Sequence, residues 1–130
     1  MGATYLIDTN VVSKYFDEAL PEWALVLLDE ALEKEPAQLS VITRIELKVY
    51  RPLLIQREQQ IQAFIEASTV LPLSEPIIQQ TIKLRRHYKG LKLPDAIIAA
   101  TAMVNDFTLP STNNIDFQRI TNLKYKSLSN

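Results

Sequence analysis

Short runs of β-forming residues alternate along this chain with longer stretches at helical spacing, and that alternation constrains the fold more than any single motif. The runs are 4–7 ("TYLI"), 38–42 ("QLSVI"), 69–71 ("TVL") and, weakly, 107–109 ("FTL"). Helical spacing covers 22–34 through Trp23, Val26, Leu27, Glu30 and Ala31, with Pro21 at the start. It also covers 75–89 through Ile77, Ile78, Thr81, Ile82, Leu84 and Tyr88, with Gly90 as the stop. Residues 43–66 read as helical too, but Pro52 must kink them or split them in two. Residues 95–105 ("DAIIAATAMVN") are apolar almost all round, and Ala96, Ala99, Ala100 and Ala102 permit close approach of neighbours. That helix is expected at the centre of the molecule. Strand and helix in alternation predict an α/β fold: a short, mainly parallel sheet of about 4–5 strands with helices on both faces. No repeat or low-complexity segment interrupts the pattern, and only "KSLSN" at the end reads as a fraying tail.

Composition narrows the chemistry. At 130 residues and 47% apolar content, residues 1–130 make a single domain with one core's worth of material. The absence of cysteine excludes disulfides, zinc–thiolate sites and thiol nucleophiles. His87 stands alone, reads as a helix-surface residue and cannot build a histidine metal site. Metal or acid–base chemistry must therefore rest on carboxylates. No basic segment leads into a long apolar stretch and nothing approaches a membrane span, so a cytoplasmic protein is expected. Net charge is −1 but unevenly spread. Residues 15–35 hold seven acids and one base, while 83–92 ("KLRRHYKGLK") hold Lys83, Arg85, Arg86, Lys89 and Lys92 with no acid. That basic run is either a solvated helix face or a nucleic-acid contact.

Four acids stand near predicted junctions. Asp8 ends the first run, Glu46 follows the second by four residues, Asp95 opens the apolar helix, and Asp116 lies past the last run. Each alone has a capping explanation. Asp8 can cap a helix beginning at Thr9 or Asn10, Thr43 to Glu46 has the capping-box pattern, Asp95 after Pro94 is a first-turn acid, and Asn113 precedes Asp116 at cap spacing. Jointly they point elsewhere, because a parallel sheet brings its carboxyl ends to one edge, where ligands bind. Carboxylates gathered there repel one another unless a cation compensates them, and oxygen-only ligands suit Mg²⁺ or Mn²⁺. Phosphodiester hydrolysis is the reaction that uses such a site.

In order along the chain, "LIDTN", "TRIEL", "LPDAIIAATA" and "STNNIDF" resemble the motifs of the PIN domain, and at this compact length the VapC toxins of bacterial toxin–antitoxin pairs. The resemblance spans nearly the whole chain. It implies a three-layer sandwich and a metal-dependent endoribonuclease with an antitoxin partner, acting as a homodimer. Its catalytic and metal-binding acids fall on Asp8, Glu46, Asp95 and Asp116, with Asn10 and Asn113 as hydrogen-bonding support. Ser111 stands where the family has threonine and keeps the hydroxyl, while Pro110 before it removes a backbone donor. Some members carry an acid where this chain has Asn113, which bears on whether one or two ions bind. Phosphate contacts are expected from Arg44, Lys48, Arg85, Arg86, Lys89 and Lys92. Without the four acids the chain holds 11 acids against 14 bases, a mildly basic surface.

Residues 10–35 offer Val11, Val12, Tyr15, Phe16, Leu20, Trp23, Leu27 and Leu28, which either pack the core or form a groove for a partner helix drawn by the acidic stretch. Three rivals to the nuclease reading differ in their demands. A haloacid dehalogenase phosphatase needs a second acid at Asn10, and a phosphoacceptor receiver needs a pair of early acids and a late strand lysine; neither requirement is met. A non-catalytic RNA- or protein-binding module of the same fold needs only that the acids cap helices.

Overall fold

The computed structural model describes residues 4–129. In chain order the elements are α1 (Thr9–Phe16), α2 (Glu22–Lys34), β1 (Gln38–Ser40), α3 (Val41–Val49), α4 (Ile55–Ala67), β2 (Thr69–Leu71), α5 (Glu75–His87), α6 (Leu93–Asn105), β3 (Leu109–Ser111), α7 (Asn114–Phe117) and β4 (Tyr125–Ser127). None of these helices is long and apolar enough to cross a membrane.

Among the described residues, four short strands form two parallel pairs, β1 with β2 and β3 with β4. The first predicted run joins them rather than forming a regular strand. Leu6 bridges Gln38 on one side and Tyr5 bridges Thr108 on the other, both in parallel. The brevity of that junction has a local cause. Thr108 turns both its N–H and its C=O toward this segment, bonding Thr4 O and Leu6 N at 2.9 Å each. Pro110, two residues on, faces the same way and has no N–H to offer, so the pairing stops. The expected continuous sheet of 4–5 strands is thus two pairs stitched through Tyr5 and Leu6.

Side-chain alternation separates two cores, one on each face of this layer. Leu6 joins Ile77, Leu84, Ala96, Ala99, Leu109 and Phe117, beneath α5, α6 and α7. Its neighbour Ile7 joins Val11, Ala24, Leu28, Leu39, Leu47 and Ile61, beneath α1 to α4. Period-two alternation of this kind is what a strand covered on both faces requires. The α6 helix is buried from Ala96 to Ala102, as its composition predicts, and α5 packs along it. Gly90 supports the turn between them at φ 79, a left-handed conformation that other residues adopt with strain.

Several expectations need correction. The second run ends at Ser40, because the Ser40 hydroxyl accepts the Ile42 N–H at 3.1 Å and caps α3, taking Val41 and Ile42 into the helix. The last internal run is Leu109–Ser111 rather than 107–109. On α2 the inward face carries Ala24 and Leu28, whereas Trp23 and Val26 are exposed; on α5, Ile82 is exposed. Of the large apolar groups between 10 and 35, Val11, Val12, Leu20 and Leu28 are core residues. Exposed apolar surface gathers instead around the α3–α4 corner, at Ile45, Val49, Tyr50, Leu53, Leu54 and Ile55. The predicted tail is structured as well: Lys126 and Ser127 lie in β4, and Leu128 is fully buried with its N–H on Ser111 O at 2.9 Å.

Candidate active site

Chain direction in the parallel pairs carries Ile7, Ser40 and Ser111 to one edge, and the helices that follow begin there. Asp8 is the N-cap of α1, its Oδ1 accepting the Val11 N–H at 2.9 Å. Its Oδ2 accepts the Ser111 hydroxyl at 2.6 Å, across 103 residues of sequence. Ser111 in turn accepts the Asn113 N–H at 3.0 Å. The serine hydroxyl therefore locks the loop after β3 onto Asp8. Asp8 caps a helix as its local sequence allows, yet the cap alone does not explain a carboxylate only 3% exposed.

Glu46 arrives from the second turn of α3. The capping-box reading of Thr43 and Glu46 fails, since Ser40 holds the N-cap position. Glu46 instead faces α1, where the Thr9 hydroxyl donates to its Oε1 at 2.6 Å. Asp95 sits in the first turn of α6, which follows a helix–helix turn and not a strand. Packing of α6 into the core brings it to the edge. Asp116 lies on α7, with its Oδ2 accepting from Asn113 Nδ2 at 3.1 Å and its N–H on Asn113 Oδ1 at 3.4 Å.

The acids feel one another. Burial pushes the Asp8 carboxyl up to about 6, hydrogen bonds from Ser111 and Val11 oppose this, and the charges of Asp95 and Glu46 add to it. Burial also raises Asp95, followed by the charges of Asp116 and Glu46, with Lys92 acting against them. Asp116 is near enough to Asp95 to share a hydrogen bond when one of the two is protonated. Among the described residues Asp8, Glu46 and Asp95 form no ion pair, while Asp116 is 3.7 Å from Arg119. The donor set is all oxygen, mutually repulsive and poorly compensated by base, which suits a hard divalent cation. Among the described residues no three of these groups are drawn together tightly enough to enclose an ion unaided. Water must complete any coordination, as Mg²⁺ favours.

Of the supporting residues, Ser111 and Asn113 hold acids in place, but Asn10 does not. It is exposed on α1, and among the described residues no hydrogen bond joins it to an acid. Of the predicted phosphate contacts, Lys92 is the N-cap residue of α6, and its charge partly opposes the rise of Asp95 without pairing with it. Arg44 and Arg86 are exposed, Lys48 bonds Gln62 on α4, and the Arg85 Nε–H is committed to Leu91 O at 3.1 Å. His87 is exposed, as expected. Four residues near the site were not assigned to it from the sequence, where Thr9 and Thr43 entered only as a helix start and a capping-box position. Thr9 and Thr43 flank Glu46, Lys14 reaches Thr112 Oγ1 at 3.1 Å, and Arg119 lies between Asp116 and the Tyr88 ring. Only Arg119 carried a local signal, three positions after Asp116 on the same turn.

Residues 5–123 match the family model of the PIN domain. The chain belongs to the PIN-domain family. Solved PIN-fold structures agree. A chain of a toxin–antitoxin complex from Klebsiella pneumoniae is 31% identical, with a TM-score of 0.71 over 92% of this chain and 95% of that one. A chain of VapBC2 from Rickettsia felis, solved with a promoter DNA fragment, is 21% identical, with a TM-score of 0.79 over 95% and 98%. A chain of VapBC-1 from nontypeable Haemophilus influenzae is 24% identical, with a TM-score of 0.77 over 96% and 98%. No curated protein matches.

Proposed function

We propose that this PIN domain is a Mg²⁺- or Mn²⁺-dependent endoribonuclease and the VapC-type toxin of a toxin–antitoxin pair. The observation that carries the reading is the meeting of Asp8, Glu46, Asp95 and Asp116, from separate elements, closely enough that burial and mutual charge raise Asp8 and Asp95. Asp8, Asp95 and Asp116 would hold one ion, with Glu46 either binding a second or receiving the proton of the attacking water. Such an ion supplies Lewis acidity for phosphodiester hydrolysis.

The chain's own residues prepare that chemistry. Ser111 and the Val11 N–H bond the two Asp8 oxygens and fix the orientation of this buried carboxylate. Asn113 and Arg119 orient Asp116. Thr9 occupies Glu46 Oε1 and leaves Oε2 to accept a proton. Lys14, Lys92 and Arg119 border the acids and suit the phosphates flanking a scissile bond. An antitoxin partner belongs to the same proposal, supported by the Klebsiella complex, as does a homodimer.

The test is cleavage of a mixed RNA pool by purified protein free of partner, with Mn²⁺ or Mg²⁺ against EDTA, beside a folded Asp95→Asn variant. Metal-dependent cutting that disappears in the variant is expected. RNA binding without cutting, indifferent to metal and to Asp95→Asn, would instead establish a non-catalytic binding module.

A further inference from the structure

We infer that Thr9 is the positioning residue of Glu46, and that a hydrogen-bond chain from buried Thr43 through Thr9 sets the direction in which it acts. The inference deepens the nuclease proposal and rests on it. Glu46 is exposed, its side chain has three rotatable bonds, and the nearby Asp8 and Asp95 repel it. Left alone, it would swing into solvent. The Thr9 hydroxyl at 2.6 Å holds Oε1 against that repulsion.

Donor arithmetic orients the chain. Thr9 Oγ1 also lies 3.3 Å from Thr43 Oγ1, but a hydroxyl has one proton. The shorter, charge-assisted bond to the carboxylate takes it. The Thr43 contact must then run the other way, with Thr43 donating to Thr9. Other buried helical threonines behave differently: Thr81 and Thr101 donate to the carbonyls of Ile77 and Ile97, four residues back, at 2.7 Å each. Thr43 is fully buried, and Thr9 is the hydroxyl it faces. A committed Thr43 donor leaves Thr9 no competing use for its lone pair there and turns its proton toward Glu46. Because Thr9 is the residue after Asp8, the start of α1 fixes two of the four acids at once.

The test uses Thr9→Val, Thr9→Ser, Glu46→Gln and the double variant Thr9→Val/Glu46→Gln. Mn²⁺ affinity is measured by calorimetry, and cleavage is resolved into kcat and KM. Thr9→Val is expected to lower Mn²⁺ affinity or kcat about tenfold with little change in KM. Thr9→Ser should restore most of the loss, and Thr9→Val should add nothing once Glu46 is Gln. A silent Thr9→Val, a failed rescue by serine, or an undiminished effect in the double variant would overturn the inference while leaving the nuclease reading intact. No Mn²⁺ binding by the unaltered protein, or a silent Glu46→Gln, would remove the site reading and this inference with it.

Discussion

Asp8 makes the pH response of this protein predictable. Its carboxyl is raised from 3.8 to about 6 in the folded state, first by burial. Between those values the folded chain binds more protons than the unfolded one, so this group's contribution is most favourable below about pH 4 and is lost as pH rises through 6. The loss amounts to roughly 3 kcal/mol at most. Urea unfolding in EDTA at pH 4, 6 and 7.5 should show this decline. Asp8→Asn should remove it and raise stability at pH 7.5 by about 1–3 kcal/mol and, on the nuclease proposal, abolish cleavage. Its amide can still accept the Val11 N–H and can donate to Ser111. Ser111→Ala should act in the opposite sense on the carboxyl itself. Loss of a hydrogen bond that lowers the Asp8 pKa lifts it above about 6, which carboxyl NMR titration in EDTA reads directly.

At the scale of elements, α6 was legible because its pattern is local. Ten residues without a charged side chain after Asp95, apolar almost all round, read as a buried helix, and alanines at 96, 99, 100 and 102 leave room for α5 and the sheet. Ala100→Leu should cost about 1–3 kcal/mol, measured as a fall in urea midpoint, because the closely packed interior has no space for it. The β4 strand was not legible. "YKS" has no apolar alternation, and its strand character comes from β3, through Leu109 N to Lys124 O at 2.7 Å and Leu128 N to Ser111 O at 2.9 Å. Leu128→Ala should therefore destabilise by about 2–5 kcal/mol, where a frayed tail would show no effect. The misread face of α2 has a similar origin. Its apolar residues surround the helix, and only contact with α1 and the sheet selects Ala24 and Leu28 over Trp23 and Val26.

At the scale of the molecule, the nuclease proposal would couple stability to a cation that relieves repulsion among the acids. On the nuclease reading, Mn²⁺ binds the folded chain alone and should stabilise it by about 2.7 kcal/mol at a hundredfold excess over Kd. Thermal melts with Mn²⁺ against EDTA should show that gain, and Asp95→Asn should lose most of it. By itself the sequence determined the alternation of elements, the burial of α6 and an all-oxygen set of four candidate acids, because periodicity and residue type are local properties. Tertiary structure alone decided that Asp95 reaches the sheet edge from a helix–helix turn, that Ser111 closes on Asp8 and that Thr9 holds Glu46. Those contacts join residues 37 and 103 positions apart, and no local pattern specifies which distant side chains the closing of two cores will bring together.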